Sequence, residues 1–224
     1  KFIEYKASVT VDDIDILEII KEILEKLIIS KDISELTSDY DKYYYLRDIK
    51  WAISNLKQEW INPEKLADLT INQTNIYVEE LAEIKPTLKK YENTRVKQEK
   101  HIIKLWELAK IYLEYNDYLR RTHKYDFNDM INFVLEKFRT DKELVYHYSE
   151  KFQFIMLDEY QDTNNAQNEI INLILKSGLD ETKPNILVVW DDDQSIYRFQ
   201  WANIENMLDF SSTYQDTNFI VLKN

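Results

Sequence analysis

Two short apolar runs of the chain each end in a cluster of acidic side chains. The run Phe152–Leu157 leads into Asp158 and Glu159, and the run Ile186–Val189 leads shortly afterwards into Asp191–Gln194. Ligands of open parallel sheets bind beyond the carboxyl ends of the strands. If both runs are strands of one parallel sheet, we expect the two polar clusters to meet in one crevice.

Carboxylates in this position can support phosphoryl transfer. A carboxylate held at a strand end can bind Mg²⁺ directly or through water, and a second one beside it can orient and deprotonate an attacking water. Phosphoryl transfer needs little beyond such positioning and charge neutralisation, and a nearby glutamine amide can sense the terminal phosphate. Many strands, however, end in acid simply because the chain leaves the core there. The short pattern alone therefore leaves a nucleotide site and an ordinary strand end both open.

The second half of the chain alternates strands with helices. A helix over Asp126–Phe138 precedes the two apolar runs, and Phe219–Leu222 forms a third run of the same kind. Between the first two runs lies an amphipathic helix capped by Thr163 or Asn164. This alternation indicates an α/β fold with a parallel sheet. Near-continuous apolar runs favour strands that are covered on both faces.

The first 120 or so residues predict helices alone. Asp12 or Asp13 can cap a helix whose apolar residues, from Ile16 to Leu27, recur with a helical period. Further helices are predicted over Leu46–Glu59, from Pro63 onward, and over Leu88–Arg121, with a Lys/Glu-rich solvated face on the last. The change of pattern alone places a domain boundary near residue 123.

Longer strings carry a resemblance to a known family. Asp158–Asn164 resembles the Walker B motif of the UvrD/Rep/PcrA-like superfamily 1 DNA helicases, and Asp191–Gln200 resembles the next helicase motif of that family. Tyr125–Ile131 resembles the segment that re-enters the first motor domain. Ala52–Lys57, followed by Asn62–Glu64, resembles the helical insertion subdomain. The resemblance covers most of the chain, and its two core motifs are long and specific.

The resemblance implies a division of the chain. Residues 1–122 would be an all-helical insertion subdomain (1B-like), and residues 123–224 would be the C-terminal part of the first RecA-like motor domain (1A-like), with a partial parallel sheet. The implied activity is that of an ATP-dependent 3′ to 5′ helicase or translocase of DNA repair or replication. Its cofactors would be ATP and Mg²⁺, and its partners single-stranded DNA and duplex junctions.

The resemblance also implies roles for single residues at the nucleotide. Asp158 would hold Mg²⁺, and Glu159 would be the general base for the attacking water. Gln161 and Gln194 would connect the γ-phosphate to the DNA site, with Gln194 also counted as catalytic.

Two aromatic residues would line the path of single-stranded DNA. These are Tyr197 and Phe199, and Phe199 would be the base-stacking platform, although core packing is its alternative role. For Tyr160 packing is the better interpretation, because it alternates away from the acidic pair. Asp126 and Asp129 can cap and solvate a helix, and we assign them no catalysis.

A phosphate-binding loop is missing from these 224 residues. Such a loop needs Gly-x-x-x-x-Gly-Lys-Ser/Thr, and the sequence contains no match. Family members carry the loop upstream of the insertion, and beyond Asn224 they continue into a Tyr-Arg-Ser motif and a second motor domain. We therefore expect an internal segment of a longer helicase that holds half of a catalytic site. A helicase–nuclease and a motor-dead DNA-binding or interaction module remain the alternatives.

Glycine is nearly absent. Gly178 is the single glycine, where an average usage of about 7% gives roughly 16. The resembled family has Gly where this chain has Trp190 and Trp201, and often Gly or another small or polar residue at the position of Trp60. One hypothesis covers all of this: the gene reads UGA as Gly and was translated with UGA as Trp. The alternative is that both Trp are genuine, with Trp201 a second stacking platform.

Composition sets the remaining limits. The chain has 41 acidic and 29 basic residues, a net charge of −12, and 44% hydrophobic residues, which is normal for a globular protein. The 16 Tyr, 9 Phe and 5 Trp exclude a disordered chain. Cysteine is absent, which excludes disulfides and thiolate metal sites, and no apolar run is long enough to span a membrane. We expect a cytoplasmic protein.

Overall fold

The computed structural model describes residues 8–38, 40–83, 89–177 and 185–191, together with residues 210, 218 and 220. Internal contacts divide the chain into two units, Lys1–Met130 and Ile131–Asn224. The described elements are β1 (Val9–Thr10), α1 (Asp13–Ile29), α2 (Leu46–Gln58), α3 (Pro63–Glu83), α4 (Lys89–Arg121), β2 (Lys124–Tyr125), α5 (Phe127–Thr140), α6 (Lys142–Lys151), β3 (Ile155–Leu157), α7 (Asn165–Lys176) and β4 (Ile186–Val188). None of these helices is both long and apolar enough to cross a membrane.

Helix α1 begins at the cap that the sequence predicts. The Asp12 side chain accepts hydrogen bonds from the backbone N–H groups of Ile14 and Asp15, at 2.8 and 2.9 Å. The Asp15 side chain accepts in return from the Asp12 N–H at 3.1 Å. This reciprocal pair satisfies donors that a helix start otherwise leaves unpaired. The prediction of an aspartate cap is therefore confirmed at Asp12.

The core of the first unit lies among α1, α2 and α4. Each helix buries one apolar stripe, because its apolar residues recur every three or four positions. Full burial of a Leu or Ile side chain contributes about 1.5–3 kcal/mol. The most deeply buried members of this core are Ile20, Leu24, Ile49, Ile111 and Tyr115.

A buried carboxylate ties α4 to the connection between α1 and α2. Glu107 is 6% exposed, although the charged residues of its helix are predicted to be solvated. Its Oε1 accepts from the Ser34 N–H at 2.5 Å, and its Oε2 accepts from the Leu36 N–H at 2.7 Å. The Glu35 N–H donates to both oxygens. The carboxylate is thus the acceptor for three consecutive backbone donors of the connection, of which the N–H of the buried Leu36 most needs a partner within the protein.

A second polar cluster joins α2, α4 and the start of α5. The Lys57 ammonium is 2.6 Å from Asp126 Oδ2 and 2.6 Å from Asp129 Oδ1, and the lysine is 2% exposed. The Tyr115 hydroxyl donates to the same Asp126 oxygen at 3.0 Å. Burial raises the pKa of Asp129, and the Lys57 charge opposes that rise. We call these four side chains the Lys57 cluster.

The two aspartates also cap α5. The Asp129 N–H donates to Asp126 Oδ1 at 2.9 Å, and the Asp126 N–H donates to Asp129 Oδ2 at 3.1 Å. The sequence prediction of a capping role is confirmed. Solvation is not found for Asp126, which is 5% exposed because Lys57 and Tyr115 cover it.

One small sheet was not expected in the helical first region. Strand β1 pairs in parallel with β2, with Val9 opposite Lys124 and Thr10 opposite Tyr125. Each strand has two residues, which is too short for an alternating pattern to be recognised in a sequence. The first region is therefore not helical throughout.

The second unit contains the predicted parallel pair. Strand β3 lies parallel to β4, with Ile155, Met156 and Leu157 opposite Ile186, Leu187 and Val188. Helix α7 lies between them in the chain and is capped by Asn164, whose side chain accepts from the Gln167 N–H at 3.0 Å. Of the third predicted strand, Phe219–Leu222, only Ile220 is among the described residues. Parallel pairing and a crossover helix fit an α/β domain.

The second unit also differs from the sequence prediction in two ways. Helix α6 was not predicted; Asp141 caps it by accepting from the Leu144 N–H at 3.0 Å. The expectation of strands covered on both faces is not met, because Met156 and Leu187 are 76% and 54% exposed. Successive strand residues point to opposite faces, and the helices cover the face of Ile155, which packs on the cluster of Phe138, Val145 and Ile174.

Helix α2 ends with a left-handed residue. Trp60 has φ +53°, and its N–H donates to Lys57 O at 3.1 Å while the Ile61 N–H donates to Leu56 O at 2.7 Å. This pair of bonds is a Schellman motif, in which the left-handed position is usually Gly. Tryptophan therefore occupies a position whose backbone favours glycine.

We predict that Lys57→Met strongly destabilises the chain. The change leaves the buried Asp126 and the half-buried Asp129 without their cation, and breaking a buried ion pair costs about 3–5 kcal/mol. Urea denaturation measures this loss in the free energy of unfolding. Without the ammonium, the raised pKa of the Asp129 carboxyl rises further. At low pH the carboxyl is therefore protonated, and the variant no longer holds an unpaired negative charge there. The loss should therefore be smaller near about pH 5 than near about pH 8.

Lys26→Met is the matched control for this prediction. Lys26 pairs with Glu114 at 2.7 Å, but its side chain is 63% exposed. Water screens such pairs, so the control should lose less than about 1 kcal/mol. Equal losses for the two variants would show that the Lys57 cluster does not stabilise the unit.

We also predict opposite effects of one substitution at two tryptophans. Trp60→Gly removes the strain of a left-handed backbone, which is worth about 1–2 kcal/mol. This gain offsets the loss of the contact between the indole ring and the Lys65 ammonium, which lies 5.9 Å from the ring centroid. Trp51→Gly places Gly inside α2, where it costs about 1 kcal/mol, and Trp51 is 60% exposed. Thermal denaturation should show Trp60→Gly to be the more stable variant by about 1–2 kcal/mol. The reverse order would contradict the backbone argument.

Candidate functional site

The pairing of β3 with β4 brings the two acidic segments together. Because the strands are parallel, their carboxyl ends lie at one edge of the ladder. Backbone bonds continue past the strands: the Val189 N–H donates to Leu157 O at 2.8 Å, and the Tyr160 N–H donates to Val189 O at 3.0 Å. The segment that follows β3 therefore stays beside the segment that follows β4.

The chain turns sharply immediately after β3. Glu159 adopts the left-handed conformation, with φ +50° and ψ +46°, and a 3-10 turn over Tyr160–Asp162 follows it. The Asp162 N–H donates to Glu159 O at 2.8 Å, and the Thr163 hydroxyl donates to Tyr160 O at 2.7 Å. A left-handed conformation is uncommon for a residue other than Gly, and such strain clusters at functional sites.

The turn sorts the four residues of the acidic segment into two pairs. Asp158 and Glu159 are exposed, whereas Tyr160 and Gln161 are 7% and 2% exposed. The Tyr160 ring packs edge-on against Phe210, with ring centroids 5.7 Å apart. The prediction that Tyr160 is a packing residue is confirmed. The Asp158 and Glu159 carboxylates are thus exposed, as is Asp162, while Tyr160 and Gln161 are buried in the same turn.

The Gln161 side chain links the two acidic segments. Its Nε2 donates to Glu159 Oε2 at 2.5 Å, and its Oε1 accepts from the Asp191 N–H at 3.2 Å. The sequence prediction for Gln161 was a contact with the nucleotide, and the resemblance gave no sign of this internal role. A signal was nevertheless present: a Gln two residues after a Glu, in a turn that buries it, can fold its amide back onto the carboxylate.

The other predicted site residues fall in a different part of the chain. Gln194, Tyr197 and Phe199 lie outside the described residues, as does Trp201. Trp190 is described, is half-buried, and has no left-handed backbone. Backbone strain at a tryptophan is therefore found at Trp60 and not at Trp190.

The described acidic residues fit a magnesium ion whose ligands are mainly waters and nucleotide phosphates. No cluster of three metal-ligating side chains occurs in the described part of the chain. Mg²⁺ usually keeps several waters and binds through one or two carboxylates plus substrate phosphates. The exposed Asp158 carboxylate provides one such ligand, and one of its oxygens already accepts from the Glu159 N–H at 3.1 Å. A single carboxylate ligand of this kind suits a metal ion that is also bound to nucleotide phosphates.

Comparison with known proteins identifies similar sequences over most of the chain. Residues 4–215 match the UvrD/REP helicase N-terminal domain. The chain is 34% identical over 116 residues to the ATP-dependent DNA helicase PcrA of Leuconostoc citreum, covering 52% of this chain and 15% of that protein. It is 38% identical over 116 residues to PcrA of Staphylococcus aureus, with the same two coverages.

A third relative extends the similarity further along the chain. The ATP-dependent DNA helicase UvrD1 of Mycobacterium bovis is 34% identical over 185 residues, which are 81% of this chain and 20% of that protein. The chain thus spans between 15% and 20% of the length of these relatives.

Proposed function

Since the chain belongs to the UvrD/REP helicase N-terminal domain family, we propose that it is part of an ATP-dependent DNA helicase. The protein would hydrolyse Mg-ATP and move in the 3′ to 5′ direction on single-stranded DNA, in repair or replication in the cytoplasm. The observation that supports this most directly is the meeting of the segments after β3 and β4. There, Asp158 and Glu159 are exposed together, and Gln161 connects Glu159 to Asp191.

The two exposed carboxylates suit different tasks. Asp158 directly follows β3, where a metal ion bound to nucleotide phosphates can reach it, and that ion would neutralise charge on the transferred phosphoryl group. Glu159 is the next residue, and its carboxylate can accept the proton of an attacking water. Its left-handed backbone turns the chain immediately after β3, and its side chain accepts a hydrogen bond from Gln161. These positions support a catalytic base beside a metal ligand.

We further propose that the two regions of the chain correspond to an insertion subdomain and part of a motor domain. Residues 1–122 would be the insertion (1B-like), whose elements are mainly the helices α1–α4. Residues 123–224 would belong to the first RecA-like motor domain (1A-like), and the parallel β3–β4 pair with its crossover helix supports that assignment.

The motif at Asp191–Gln200 would complete the site. Gln194 would contact the γ-phosphate, while Tyr197 and Phe199 would line the path of single-stranded DNA leading to a duplex junction. Aromatic stacking on bases is worth about 1–3 kcal/mol per base and tolerates every sequence. A translocase requires such tolerance, because it moves across arbitrary sequence.

We predict that Glu159→Gln in the full-length protein abolishes ATP hydrolysis while ATP and DNA still bind. The amide has nearly the shape of the carboxylate but cannot take the proton, and losing a general base costs about 10²–10⁴ in rate. DNA-stimulated phosphate release measures kcat. Glu150→Gln is the control, since it is the same change at an exposed glutamate on α6 and should leave kcat unchanged. Normal turnover by Glu159→Gln would rule out this base, and a wild type that binds DNA without hydrolysis would indicate a motor-dead module.

We also predict that Phe199→Ala weakens single-strand binding by about 1–3 kcal/mol and separates ATP use from movement. Fluorescence anisotropy with labelled oligonucleotides measures the affinity, and strand displacement per ATP measures the coupling. Phe154→Ala is the control, because Phe154 is 70% exposed and precedes β3. If Phe199→Ala keeps its DNA affinity but lowers the melting temperature markedly, Phe199 is a packing residue instead.

A further inference from the structure

The amide of Gln161 is engaged at both of its ends. Its Nε2 donates to the Glu159 carboxylate, and its Oε1 accepts from the backbone of Asp191. Since the residue is 2% exposed, almost none of its surface is left for a phosphate oxygen to reach. The Glu159 carboxylate, by contrast, lies on the exposed side of the same turn.

From this geometry we propose that Gln161 is a positioning residue for Glu159 and does not contact the nucleotide. The inference rests on the proposed function, in which Glu159 is the base. A glutamate side chain on a turn can adopt many rotamers, and a single charge-assisted hydrogen bond from a buried neighbour selects among them. Gln161 is itself held by the Asp191 N–H, so the orientation of Glu159 is set by the backbone at the end of β4.

The chemistry of an amide suits this task. A glutamine carries a donor and an acceptor on one planar group, so it can hold a carboxylate on one side and a backbone N–H on the other. It is also neutral, and therefore it orients the base without the ion pair by which Lys or Arg would reduce its basicity. A shorter or apolar residue at position 161 would break one or both of these bonds.

The test uses two variants of the full-length protein. Gln161→Met keeps a similar volume and removes both hydrogen bonds. Gln161→Glu keeps an acceptor for the Asp191 N–H but replaces the donor to Glu159 with a second carboxylate. Gln167→Glu is the matched control, because Gln167 only needs an acceptor toward the Asn164 N–H, at 3.1 Å, and Glu supplies one. Active sites are counted by nucleotide titration, so that kcat refers to folded protein.

We expect Gln161→Met to lower kcat by about 10–100-fold, since small misplacement of a catalytic group has effects of that order. Gln161→Glu should lose more, and Gln167→Glu should match the wild type. The dissociation constants of ADP and of a non-hydrolysable ATP analogue should both stay within about twofold of wild type, because no binding contact is removed.

Other outcomes would overturn the inference in distinguishable ways. A selective loss of affinity for the ATP analogue over ADP would show that Gln161 contacts the γ-phosphate. An unchanged kcat per active site with a lower melting temperature would show that it only packs. A Glu159→Gln protein that hydrolyses ATP normally would overturn both this inference and the proposed base, whereas an inactive Glu159→Gln with fully active Gln161 variants would overturn this inference alone.

Discussion

The parallel pairing of β3 with β4 is the constraint on which the rest of the candidate site depends. An antiparallel pair would place the two acidic segments at opposite edges, and neither could then assist the other. Because the pair is parallel, the backbone of Asp191 comes within 3.2 Å of Gln161, and the turn after β3 is held beside Val189. The site is thus formed by backbone geometry first, and the side chains Asp158 and Glu159 occupy positions that the ladder has already determined.

The first unit depends on a different constraint, the pairing of buried charge. Lys57 and Glu107 both lie within the unit, and each meets several partners at hydrogen-bonding distance. Apolar packing among α1, α2 and α4 supplies stabilisation without direction, whereas these two groups accept only one arrangement of their neighbours. Removing Lys57 would leave the carboxylates of its cluster without their cation, and removing the Glu107 carboxylate would leave backbone N–H groups without their acceptor. Both groups therefore penalise arrangements of the helices in which these hydrogen bonds are broken.

The sequence predicts features that depend on neighbouring residues, such as helices and their caps, but not contacts between residues far apart in the chain. Helix α1 with its Asp12 cap and helix α7 with its Asn164 cap follow from periodicity and capping chemistry, which involve residues within a few positions of each other. Strand pairing was predictable in outline from the apolar runs. The partners of Lys57 lie 69 and 72 positions away, and those of Glu107 more than 70, so no single-sequence pattern connects them. For Gln161 the resemblance implies a nucleotide contact, whereas the structure shows an amide that the turn buries and that bonds to Glu159 and Asp191.

In this chain with one glycine, residues other than Gly adopt the left-handed conformation at several turns. In the described residues, positive φ occurs at Lys31, Trp60, His123 and Glu159, and the first three end helices where Gly is usual. None of the described tryptophans is fully buried. A glycine would suit the backbone at Trp60 but would weaken the helices at Trp51 and Trp106, so backbone energetics favour glycine at only one of these three positions. Glu159 differs from all of them, because there the strained backbone carries the side chain that the proposed chemistry needs. Replacing Glu159 with Gly, which its left-handed backbone favours, would relieve the strain and remove the proposed base.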